Sequence, residues 1–123
     1  MGQPQFEAAV AAYFAEWVRL HPVEATAFGI HDHDDRLPDA SRDAIRRLID
    51  LTRGFRERVA GVDPSALSPA GRIDREVALA VADLELFDLE EREMAARASD
   101  APETLGSALY LLFARDFAPL PQR

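Results

Sequence analysis

The sequence predicts an all-α fold of four main helices plus one short helix. Three observations carry this. Apolar residues recur at helical spacing along nearly the whole chain. No run alternates apolar and polar residues between hairpin-type turns, as a half-buried strand requires. The boundaries are written in capping chemistry, with Ser41 and Ser68-Pro69 as starts and Gly29 and Gly61 as stops.

The first helix is expected over about Pro4 to Leu20. Proline suits a first turn, where its missing N–H costs nothing. At 100° per residue Phe6, Val10, Tyr13, Trp17 and Leu20 fall in one stripe, with Glu7, Glu16 and Arg19 outside it. Such a stripe is expected to pack in a core. His21-Pro22 ends the helix, because proline disfavours helical geometry in the residue before it. A short second helix follows from Pro22 to Phe28, closed by Gly29. Residues 29–39 then read as a loop.

Ser41 opens a third helix, Arg42 to Ala60, with Ile45, Leu48, Thr52, Phe55 and Val59 on one face. Six arginines lie in this segment, but Asp43, Asp50 and Glu57 interleave with them, as on a solvated face. Ser68-Pro69 opens the longest helix, expected to reach Ala98. Ile73, Val77, Ala80, Val81, Leu84 and Phe87 form one stripe, and Leu79, Leu86 and Leu89 lie opposite. A helix apolar on two sides needs two partners. Its length would be ~45 Å at 1.5 Å per residue, against ~35 Å for a globule of this size. Asp100 and Pro102 are expected to start the last helix. Leu105, Leu109, Tyr110, Leu111, Leu112, Phe113 and Phe117 cover most of its circumference, so it is expected to seek burial on every side. Residues 1–123 thus read as one helical segment that lacks partners for two of its elements.

Composition narrows the function classes. Hydrophobic residues make up 48% of the 123, which excludes a disordered chain. No apolar run approaches the ~20 residues of a transmembrane helix, so no membrane partner is expected. No basic cluster with an apolar stretch stands at the N-terminus, so no signal peptide is visible and the cytoplasm is the expected location. Cysteine is absent, which excludes disulfides, thiolate zinc sites and thiol catalysis. The 22 acidic residues outnumber 14 basic ones, all arginine, and a net charge of −8 disfavours a nucleic-acid role.

The densest set of ligand-type side chains is His31-Asp-His-Asp-Asp35. Imidazoles and carboxylates are metal donors, with His31 and His33 the candidate pair. Neighbouring loop residues diverge, however, and no two histidines stand one helical turn apart, so no metal site is assigned. The expectation is instead a loop held by its own side chains. Arg36 would pair with Asp34 or Asp39, and Leu37 would anchor the loop in the core. His31, Asp34, Arg36 and Asp39 are the candidates for lining a substrate cleft. No nucleophile elbow, phosphate-binding loop or dinucleotide fingerprint occurs. Glu90 and Glu91, like Asp34 and Asp35, are adjacent and point apart, so no catalytic residue is assigned.

Pro22-Val-Glu-Ala-Thr-Ala-Phe-Gly29, then Ile-His-Asp-His-Asp-Asp-Arg-Leu-Pro-Asp39 and Ser41, resembles the bacterial family called domain of unknown function 885. Leu67-Ser, Arg72-Ile-Asp74 and Ala118-Pro-Leu-Pro-Gln-Arg123 extend the resemblance along the chain, in order. It implies longer, largely helical proteins similar to zincin-type zinc metallopeptidases. Their His-Glu-x-x-His motif would lie far downstream, its histidines holding zinc and its glutamate activating water. This sequence has no such motif, so no zinc ligand or base carries over, and no cofactor is expected in this chain. Thr26, Gly29, His31, Asp34, Leu37 and Asp39 do carry over as the loop motif.

The resulting expectation is a non-catalytic N-terminal scaffold segment of a peptidase-like hydrolase. Loop 29–39 would border the substrate cleft, and the partner would be the downstream catalytic part. The alternative is a stand-alone helical module that dimerises through its apolar faces.

Overall fold

A computed structural model describes residues 2–97 and 101–123, and every regular element in them is helical. Helix α1 spans Gln3–Leu20, α2 Pro22–Ala27, α3 Arg42–Ala60, α4 Pro69–Leu86, α5 Met94–Arg97 and α6 Ala101–Ala114. Short 3-10 turns stand at Pro64–Ala66 and Leu120–Gln122. Among the described residues no helix is long and apolar enough to cross a membrane.

The caps act as their chemistry requires. The Ser41 hydroxyl accepts from the Ala44 N–H at 3.2 Å, and that of Ser68 from the Gly71 N–H at 3.0 Å. Gly29 adopts φ 84°, a left-handed conformation that side chains resist. There its N–H donates to the Thr26 carbonyl at 3.0 Å, and the Ile30 N–H to that of Ala25 at 2.8 Å. These two bonds form the Schellman closure of α2. Gly61, by contrast, ends α3 at φ −73°, without a left-handed turn.

Helix α3 lies at the centre, with α1 and α4 both packed on it and touching one another far less. Phe6, Tyr13, Phe55, Val59, Val62, Leu67 and Ala82 form the core. Each large member stabilises the fold by about 1.5–3 kcal/mol relative to exposure. Tyr13 stacks on Phe55 with centroids 4.1 Å apart. On α1, Phe6 and Tyr13 are buried and Trp17 and Leu20 partly so, but Val10 is exposed.

The longest helix departs from expectation in two ways. After Leu86 the helix widens into a π turn over Phe87–Glu91, with the Arg92 N–H bonded to the Phe87 carbonyl at 3.0 Å. Glu93 then takes φ 47° and breaks the chain direction. The continuous run of residues 69–91 is therefore ~34 Å long and fits the globule. The rest of the expected range is the separate α5, and Ala98 lies outside the described residues.

The second departure is which face α4 buries. Gly71, Arg75, Ala78, Ala82, Glu85 and Leu89, spaced four and three residues apart, turn inward, Gly71 and Ala82 fully and the rest in part. Small residues there let α3 approach closely. The more apolar stripe of Ile73, Val77, Val81, Leu84 and Phe87 faces outward, each residue 50–66% exposed. Arg75 uses its inward place to bind α3, donating to the Val62 carbonyl at 3.1 Å and the Ala60 carbonyl at 3.0 Å.

Helix α6 docks on α2. Ala108 is buried, and Arg115 donates to the Ala27 carbonyl at 2.9 Å and the Thr26 carbonyl at 3.3 Å, binding the open end of α2. Burial on every side is not achieved, because Leu105, Leu109, Tyr110 and Phe113 are exposed. The proposed start at Asp100 lies outside the described residues.

Candidate functional site

The loop after Gly29 is organised around one carboxylate. The Thr26 hydroxyl, buried in α2, donates to Asp34 Oδ1 at 2.6 Å, and His31 Nδ1 meets Asp34 Oδ2 at 2.8 Å. The His31 ring stacks on Phe117 with centroids 3.9 Å apart, so the segment after α6 closes over the loop. An open cavity of about 460 Å³ lies over His31, Asp34 and Phe117. His31 and Asp34 are thus brought together at a surface depression.

Arg36 and Asp39 do not join them. Arg36 Nε lies 3.9 Å from Asp35 and pairs with neither Asp34 nor Asp39. Asp34 instead accepts from Thr26 on Oδ1 and faces His31 on Oδ2. Asp39 accepts from the Ser41 N–H at 2.9 Å and lies 3.7 Å from Arg47. The Ser41 bond holds its carboxyl below the usual carboxylate range. Asp39 therefore serves the turn into α3. Leu37 does not anchor the loop in the core, being 58% exposed.

Zinc, implied by the family resemblance, does not fit these residues. Among the described residues no three His, Cys, Asp or Glu side chains converge as a metal would require. His31 is engaged with Asp34, and His33 Nδ1 is buried without a hydrogen-bond partner.

A second polar centre lies where α1 faces α4. Glu85 accepts from the Tyr13 hydroxyl at 2.6 Å and from Trp17 Nε1 at 3.3 Å, and His21 Nε2 stands 3.9 Å away. The Tyr13 hydroxyl also lies 3.4 Å from Thr52 on α3. Burial, reinforced by the bond to Glu85, pushes the Tyr13 phenol above its ordinary range. Nothing in the local sequence pattern marks this centre as a cluster. The available signal was the spacing of Ala78, Ala82, Glu85 and Leu89, which puts a carboxylate on the inward face of α4.

The pattern of the bacterial proteins of unknown function termed DUF885 matches residues 22–123. The chain belongs to this family. The DUF885 match takes in the Thr26–Gly29–His31–Asp34 loop and every element from α2 onward, while α1 precedes it. Comparison with curated proteins and with solved structures gives no match.

Proposed function

We propose that residues 1–123 are a non-catalytic helical scaffold within a longer DUF885 protein of the zincin-like hydrolase kind. The observation that carries this is the outward stripe of α4. A monomeric surface rarely leaves a continuous row such as Ile73, Val77, Val81, Leu84 and Phe87 exposed. In this reading the row is covered by further helices of the same protein. The scaffold holds His31 and Asp34 at the rim of the substrate cleft, and the reaction's catalytic groups lie outside these residues. The rigid Thr26–Asp34–His31 chain of hydrogen bonds supports a presenting role, since it fixes both side chains on a helix end.

The source DNA beyond the codon for Arg123 tests the reading. An open frame leading to a His-Glu-x-x-His helix supports it, and a stop codon there overturns it. Light scattering on the 123-residue chain tests the alternative module. A single discrete dimer at micromolar concentration favours dimerisation over the scaffold reading.

A further inference from the structure

Helices α1 and α4 both lean on α3 and leave a slot between them. Two contiguous depressions, about 570 and 470 Å³, run along it and share Tyr13, Phe14 and Val81. The walls are apolar, with Val10 and Phe14 on one side and Val77 and Val81 on the other. Two helices resting on a third present the seat of a fourth in a bundle, at the usual 8–10 Å between axes.

The charges in the slot are one-sided. Glu7, Asp74, Glu85 and Asp88 line it, and none of the chain's arginines does. Asp88 is met by Arg92 at 3.0 Å. Glu85 is different. Its side chain is only 18% exposed, and among the described residues the one cation-capable group within 4 Å is His21, at 3.9 Å. Tyr13 and Trp17 occupy part of its accepting capacity, which for a carboxylate is about four bonds. A largely buried carboxylate gains from a permanent cation placed within reach, and no arginine supplies one among the described residues. Beside it stands the Trp17 ring, stacked on His21 at 4.0 Å between centroids, and around it Phe28 and Phe14, at 6.2 and 6.4 Å from Trp17, expose faces that attract a cation.

We infer that the α1–α4 slot receives a helix of another polypeptide segment, apolar on its seated face and carrying one arginine or lysine that reaches Glu85. This names the partner of the α4 face on which the scaffold reading rests. Two copies joined slot to slot would set one acidic lining against another, so charge disfavours a second copy as the occupant.

The probe is a synthetic 18-residue helix of leucine, alanine and glutamine with one central arginine. A second peptide carries citrulline, its neutral isostere, at that position. Trp17, the one tryptophan, reports from within the slot. The arginine peptide is expected to shift Trp17 emission and to bind at least about tenfold more tightly than the citrulline peptide. Glu85→Gln removes the charge at constant size, keeps one acceptor oxygen for Tyr13 or Trp17, and should abolish the difference. Val81→Gln should weaken both peptides by putting an uncharged polar group on the apolar wall. Equal binding of the two peptides to the unaltered chain, or no response of Trp17 to either, overturns the inference without needing any variant to fold. So does a discrete dimer that excludes the peptide. A stop codon after Arg123 would remove the scaffold reading while leaving this binding result intact, so the two failures are distinguishable.

Discussion

Tyr13 and Glu85, 72 residues apart in the chain, join α1 to α4 through a 2.6 Å hydrogen bond at the floor of an apolar slot. The bond lets a carboxylate sit on the inward face of α4 and ties together two helices that otherwise touch little. Tyr13→Phe keeps the ring stacked on Phe55 and removes the hydroxyl, which donates to Glu85 and lies 3.4 Å from Thr52. It should lower unfolding free energy by about 2 kcal/mol, the worth of a hydrogen bond to a charged acceptor. Urea unfolding followed by circular dichroism measures this, and a loss below a few tenths would show that water replaces the bond.

The same residue sets an alkaline limit. The folded chain holds the Tyr13 proton more tightly than the unfolded chain, where tyrosine titrates near pH 10. That contribution is whole below about pH 10 and declines as the pH rises through the folded value, because the unfolded state gains by losing its proton. Unfolding midpoints measured from pH 8 upward should fall beyond pH 10, and Tyr13→Phe should remove this part of the decline.

Two glycines predict opposite signs. At Gly29 a Cβ meets nothing within 4 Å, so the φ of 84° alone decides, and Gly29→Ala should destabilise by about 1–2 kcal/mol. Gly106 lies inside α6 with equal space around it and no positive φ, so Gly106→Ala should stabilise by about 0.5–1 kcal/mol. Thermal unfolding of the two variants checks both.

Serine at Val77, Val81 and Leu84 together should leave the unfolding free energy within about 1 kcal/mol, since all three are more than half exposed. Binding of a hydrophobic dye should fall in the same variant. A loss above about 3 kcal/mol would mean that the stripe is packed in the isolated chain.

Asp34→Ala should loosen the loop by removing the acceptor for both Thr26 and His31. The expected cost is about 0.5–1.5 kcal/mol, because the buried Thr26 hydroxyl turns to the Pro22 carbonyl, 3.0 Å away, and is not left without an acceptor. Amide exchange in residues 30–36 should accelerate more than exchange in α3. Uniform acceleration would place the effect on the whole fold instead.

The caps and boundaries were legible because each is local. Ser41, Ser68-Pro69 and Gly29 act on backbone groups within a few residues of themselves. The face of α4 was not legible, since periodicity counts apolar residues and cannot say which stripe a neighbour covers. The richer stripe of Ile73, Val77 and Val81 was left outward, and a poorer one took the core, where Ala78 and Ala82 let α3 approach closely beside Arg75, Glu85 and Leu89. The break at Glu93 escaped for a related reason, because neither glycine nor proline marks it. In the loop, the pairing of His31 with Asp34 needs Thr26 from α2 and Phe117 from the end of the chain. No local spacing signals that meeting, and Arg36 was the nearer but wrong partner for Asp34.

The Arg75 bonds to Ala60 and Val62 also bear on the order of events in folding. They close contacts only 15 and 13 residues apart, joining α3 and α4 into a hairpin. Helix α1 instead docks across separations of 39 and 72 residues, to Thr52 and Glu85. Short loops close with less entropy loss, so the hairpin is the natural nucleus and α1 arrives late. Stopped-flow refolding should show helical circular dichroism rising before the emission change of Trp17, and mutations in α1 should speed unfolding more than they slow folding.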